Sequence, residues 1–189
     1  ETAMRTLFTQ IAAATLPLKG VFHTAGLLAD AILLNQQWAR FAPVFAPKVA
    51  GGWLLHQLTA DLDLDFLIFF SSATALLGHA GQSNYAAANA FLDGLAHYRR
   101  QQGLPALSIN WGAWANSGMA ARTMQGALDQ SQAIAPPLGI TILAHLLRHG
   151  AAGHSQIAVT PMDWAAVEKG QGVASPFYAN FVTPKAAAK

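Results

Sequence analysis

Residues 66–93, FLIFFSSATALLGHAGQSNYAAANAFLD, constrain this chain more than any other stretch. An apolar run ends in two hydroxyls, Ser71 and Ser72, breaks at Gly78 and Gly81, and resumes as an Ala-rich segment carrying Tyr85 and Asn89. An apolar run bounded by small polar residues reads as a strand buried on both faces, as in parallel sheets. In open α/β sheets, ligands bind beyond the carboxyl ends of the strands, which is where Ser72 falls. Tyr85 and Asn89 are four apart, so a helix stacks them on one face. A hydroxyl at a strand end, opposite a phenol and an amide on the next helix, is a candidate reaction site.

The rest of the chain alternates strands and helices around this centre. Residues 1–15 carry Met4, Leu7, Phe8 and Ile11 at helical spacing, with Thr2 able to cap the start and Pro17 as a stop. Residues 19–26, KGVFHTAG, read as a short strand closing on a Gly turn. A loop leads into a helix, Pro43 and Pro47 punctuate it, and a second helix is predicted over 48–58. The acidic tract DLDLD from Asp61 reads as a solvated turn, since a metal site needs converging ligands. Arg99 and Arg100 followed by Gly103 mark a helix end.

Residues 104–112 read as another buried strand, and 156–162 as the last one. Between them, 113–137 mix Gly, Ser, Asn and Gln and are expected to form a lid of loop and short helix. Residues 138–147 form an amphipathic helix pattern. The expected class is α/β, a Rossmann-like parallel sheet with flanking helices, spanning 1–170 with a tail over 171–189. No internal repeat is visible.

Composition excludes several functions. Only 11% of residues are charged, less than half the usual share, against 53% hydrophobic, so much of the surface is expected to pack against something else. A net charge of +2 without a Lys/Arg cluster argues against nucleic acid as a partner. Cysteine is absent, so disulfides and thiol chemistry are too. No apolar stretch approaches the roughly 20 residues that span a bilayer, and no signal pattern opens the chain. A cytoplasmic location is expected.

The order Lys48, Ser72, Tyr85, Asn89 resembles the active-site set of ketoreductase domains in modular polyketide synthases, within the short-chain dehydrogenase/reductase superfamily. Lys48 lies 24 before Ser72, and Ser72 lies 13 before Tyr85. Flanking matches are GVFHTAG from Gly20, FFSSATALLGHAGQSNYAAANAFLD from Phe69, GLPALSINWGAWANSGMA from Gly103 and VTPMDW from Val159. Generic members of the superfamily place Lys four residues after the Tyr, where this chain has Asn89. The synthase ketoreductases take Lys from the preceding helix instead, as Lys48 does here. A free-standing dehydrogenase is therefore disfavoured.

The resemblance implies NADPH-dependent reduction of a β-ketoacyl group on an acyl carrier protein. Tyr85 would donate the proton, Ser72 would hold the carbonyl oxygen, and Lys48 would favour the phenolate and bond the nicotinamide ribose. Asn89 would orient Lys48. His23, Ala25 and Gly26, in the HTAG turn, would line the cofactor. Leu28-Ala29-Asp30 keeps the last Asp of one stereochemical class, and Leu77 replaces the Trp of the opposite class, so the resemblance points to a D-configured hydroxyl. No GxGxxG occurs, so the resemblance places the glycine loop and first three strands in a missing N-terminal ketoreductase half. Expected partners are that half, the carrier protein and other synthase domains. The alternative is a non-catalytic structural or docking fragment.

Overall fold

The computed structural model describes residues 1–116, 133–149, 153–164, 176–178 and 181. Helix α1 (Thr2–Ala12) leads into strand β1 (Gly20–His23). Helices α2 (Trp38–Phe45) and α3 (Gly51–Thr59) carry the chain back to strand β2 (Phe66–Ser72). A short helix α4 (Thr74–Leu77) and the long α5 (Ser83–Gln101) precede β3 (Leu107–Trp111). Helix α6 (Pro136–His149) then leads to β4 (Gln156–Val159). All four strands are parallel in the order β1-β2-β3-β4, with Gly20 opposite Phe66, Ile68 opposite Leu107, and Ser108 opposite Gln156. The expected α/β class and its parallel βα units are what forms.

Because successive strand residues point to opposite faces, β2 buries both. Leu67 and Phe69 pack with Leu92, Leu95 and Ala96 of α5 on one side. Ile68 packs with Ile109 and Trp111, backed by Ile142, Leu143 and Leu146 of α6, on the other. Each such side chain contributes roughly 1.5–3 kcal/mol by leaving water, which explains the continuous apolar run. The sheet edge at β1 is less covered: Phe22 is 43% exposed.

Three expectations change in detail. The strands stop earlier than predicted: β1 ends at His23, β3 starts at Leu107, and β4 ends at Val159, leaving Thr160, Pro161 and Met162 outside. The helix expected over 48–58 is one end of a nearly continuous helical run that begins at Trp38. Pro47 lacks the amide proton an α-helix needs, and the backbone widens there into a π-helical turn, Ala46–Ala50, that carries Lys48. The helix α4 between Ser72 and Gly78 was not anticipated. Gly78 and Gly81 lie at φ 72° and 83°, which favours glycine, and they turn the chain from α4 into α5.

Of the expected lid, residues 117–132 lie outside the described residues. Its base is closed by a bridge between Trp114 and Ile134, and Pro136 already opens α6. Of the expected tail, only a single turn at Pro176–Tyr178 and Phe181 are described. Among the described residues, no helix is long and apolar enough to cross a membrane.

Candidate active site

Tyr85, Asn89 and Asp93 recur every four residues along α5 and are all buried on its inner face. Lys48 is also buried, 2% exposed, although it sits on a different element. The π-helical turn aims it inward: Nζ donates to the Phe70 carbonyl at 2.9 Å and lies 5.5 Å from the centroid of the Tyr85 ring. Ser72, at the carboxyl end of β2, accepts a hydrogen bond from the Thr74 amide at 3.2 Å. The structure therefore brings Lys48, Ser72, Tyr85 and Asn89 together from three elements.

Burial sets the chemistry of the pair. It pulls Lys48 down from 10.5 to about 8, with Asp93 opposing the fall. Burial pushes the Tyr85 phenol up; the Asn89 and Ser72 side chains pull it back, and Asp30 adds to the upward push. At neutral pH the site thus holds a protonated phenol beside an ammonium. The ammonium has three donors and spends one on Phe70; among the described residues the other two meet no acceptor.

Asn89 donates from Nδ2 to the Tyr85 main-chain carbonyl at 2.8 Å, one turn back, and makes no bond to Lys48. Its Oδ1 is buried without a donor. A buried amide oxygen and an ammonium with unspent protons are groups that a polyhydroxylated ligand or an ordered water would satisfy.

His23 is buried at the end of β1, and its Nε2 donates to the Pro47 carbonyl at 2.9 Å, so it ties the strand end to the turn that holds Lys48. Burial lowers its pKa, the Pro47 carbonyl opposes this, and the Lys48 charge lowers it further. Ala25 and Gly26 follow in an exposed loop outside the strand. Asp30 accepts from Gln82 Nε2 at 2.9 Å, and Leu77 ends α4, half-buried. His79 is an exposed loop residue.

Sequence reading missed the polar layer beneath this set. Asp93 accepts from Ser108 Oγ and, at 2.8 Å, from Asn110 Nδ2, which also lies 3.0 Å from Ser71 Oγ. Asn84 ties α5 to the Ala29 and Arg40 carbonyls at 2.9 and 3.1 Å. Arg99 does lie in the last turn of α5 as expected, but it is fully buried, bonded to Pro105, His56 and Thr59. The only sequence signal was the presence of Ser, Asn and Asp inside otherwise apolar runs.

A parallel sheet with α5 and α6 on opposite faces, and polar groups gathered at the carboxyl end of β2, defines a Rossmann-like short-chain dehydrogenase/reductase fold. Comparison narrows the class. Residues 1–116 match the KR domain family, and the chain belongs to it. It is 54% identical over 114 residues to polyketide synthase GfsB of Streptomyces halstedii, covering 60% of this chain and 2% of that protein. It is 44% identical over 164 residues to a mycocerosic acid synthase-like polyketide synthase of Mycobacterium tuberculosis, covering 87% of this chain and 8% of that protein. Among solved structures, A-type ketoreductases from a modular polyketide synthase superpose with TM-score 0.82 at 34% identity, over 92% of this chain and 38% of theirs. The ketoreductase PlmKR1 of phoslactomycin biosynthesis in Streptomyces sp. HK803 gives 0.85 at 30% identity, over 98% and 44%. The chain thus spans under half of each solved ketoreductase and a small fraction of each synthase.

Proposed function

We propose that this chain carries the proton-donating half of a ketoreductase that reduces a β-ketoacyl group, tethered to an acyl carrier protein, to the β-hydroxyacyl product. The observation that carries the reading is the burial of Lys48 beside the Tyr85 ring, at the strand end that bears Ser72. A buried ammonium costs stability, and among the described residues this one has no salt bridge. A catalytic role accounts for that cost.

NADPH, when bound, supplies the hydride. The residues present fit it: Lys48 has donors for ribose hydroxyls, and His23, Ala25 and Gly26 lie at and just past the carboxyl end of the neighbouring strand β1. The chain's own groups handle the proton. Ser72 holds the ketone oxygen by donating its hydroxyl hydrogen, so that charge developing on that oxygen meets a fixed dipole. Tyr85 donates its phenolic proton to that oxygen, which is more basic than phenolate once it becomes an alkoxide. Lys48 then faces the phenolate and offsets its charge. Asn89 braces the helix turn that carries Tyr85. Asp30 and Leu77 favour the D-configured alcohol.

The test is an assay of the intact ketoreductase domain with NADPH and a β-ketoacyl N-acetylcysteamine thioester, with chiral analysis of the product. Turnover by wild type and its collapse in Tyr85→Phe support the reading. Full activity in Tyr85→Phe would sink it. The other synthase domains and the remaining part of the ketoreductase are the partners this reading requires.

A further inference from the structure

Asp93 is the only buried carboxylate among the described residues, and the reaction as described gives it no role. It sits two turns beyond Tyr85 on the same stripe of α5. Both of its oxygens are engaged by β3: Oδ1 accepts from Ser108 Oγ, and Oδ2 accepts from Asn110 Nδ2 at 2.8 Å. The Asn110 nitrogen also reaches Ser71 Oγ at 3.0 Å and the Ser72 carbonyl at 3.2 Å. Ser71 in turn donates to the Asn89 carbonyl at 3.3 Å. Asn110 Oδ1 accepts from Gln156 Nε2 at 2.9 Å, which fixes the amide's orientation from β4.

One amide therefore joins the helix bearing Tyr85 to the end of the strand bearing Ser72. That strand also supplies the Phe70 carbonyl that holds Lys48. Apolar side chains would bind α5 to the sheet equally well, as Leu92 and Ala96 already do. What they would not do is hold two polar groups at a fixed spacing or supply a negative charge whose field reaches Lys48. Three titratable groups bear on Lys48: Asp93 and Tyr85 from α5, and His23 from β1.

We propose that Asp93 and Asn110 are positioning residues for the reaction, forming an internal brace that sets Tyr85 against Ser72 and supplies the counter-charge of Lys48. This rests on the reductase reading above. Removing the Asp93 charge lets Lys48 lose its proton at lower pH, and the Tyr85 phenolate then loses its cation. Removing the Asn110 amide leaves the charge in place and loosens only the spacing.

The test uses the intact ketoreductase domain with NADPH and the β-ketoacyl thioester, in Asp93→Asn and Asn110→Ala. In Asp93→Asn, the basic limb of the kcat/KM profile moves down by roughly one pH unit. The Lys48 titration itself, read from the pH dependence of its 13Cε chemical shift, moves down with it. In Asn110→Ala, kcat falls roughly 10- to 100-fold, with the basic limb unmoved. Unchanged titration of Lys48 in Asp93→Asn, or unchanged kcat in Asn110→Ala, overturns the proposal. If wild type reduces no thioester, the reductase reading fails, and the Lys48 titration still decides the Asp93 coupling. If Asp93→Asn does not fold, the kcat of Asn110→Ala decides the brace by itself.

Discussion

Lys48 Nζ lies 5.5 Å from the centre of the Tyr85 ring, although 37 residues separate the two in the chain. The contact depends on a π-helical turn at Pro47 and on the inward stripe of α5. Neither element would bury a charge for the sake of packing. The pair is where local structure departs from its ordinary preferences, as expected of a functional site.

Replacing Lys48 by Met should stabilise the fold and remove activity together. Burial holds Lys48 near 8 instead of 10.5, so the folded state releases the proton first. The penalty is therefore full below about 8 and relieved as pH rises toward 10.5. Removing it is worth on the order of 3 kcal/mol. Denaturant titration at neutral pH and at pH near 10 checks this: the gain in Lys48→Met over wild type should shrink at the higher pH.

Ser72→Ala should separate catalysis from stability. The hydroxyl accepts a bond from the Thr74 amide at 3.2 Å, and losing one such hydrogen bond costs about 1 kcal/mol. Losing a donor to the developing oxyanion costs about 10²–10³ in kcat. Steady-state kinetics beside a melting curve gives both. A kcat within twofold of wild type would remove Ser72 from the reaction.

His23 should make the domain less stable in mild acid. Its folded-state pKa lies below the ordinary histidine value, chiefly through burial. The unfolded chain then binds the proton first, so stability is lost as pH falls from the ordinary value through the folded one. His56, lowered by burial and by Arg99, adds in the same sense. Unfolding free energies between pH 8 and 5 should fall less steeply in His23→Gln than in wild type.

Gly139→Ala should destabilise the domain by roughly 1–3 kcal/mol, despite raising helix propensity. A Cβ there would come within 2.4–2.9 Å of the Trp114 ring. That ring packs edge-on against Trp111, with centroids 5.0 Å apart, which opposes its moving aside. Thermal melting checks this, and an unchanged midpoint would show that the indole can shift.

Much of this was readable in order along the chain. The β2 run, the glycine break and the four-residue spacing of Tyr85 and Asn89 follow from side-chain periodicity, which local sequence carries directly. The Lys-Ser-Tyr-Asn set was legible as a resemblance, and the structure gathers those residues at one strand end. The lengths of β1 and β4 were not legible, because Thr24, Thr160 and Met162 suit a strand or a loop equally and only the neighbouring strand's reach decides.

Sequence alone determined the alternation of buried strands and helices, since the periods of apolar residues differ between the two. Tertiary structure decided which polar residues turn inward. Asp93, Asn110 and Arg99 carry no local mark that separates them from solvated residues of the same type. Their burial is settled by partners far along the chain: Ser108 and Asn110 for Asp93, His56 and Thr59 for Arg99. A polar group enters a core only when distant groups satisfy its hydrogen bonds there, and that condition exists only once the sheet and helices have packed.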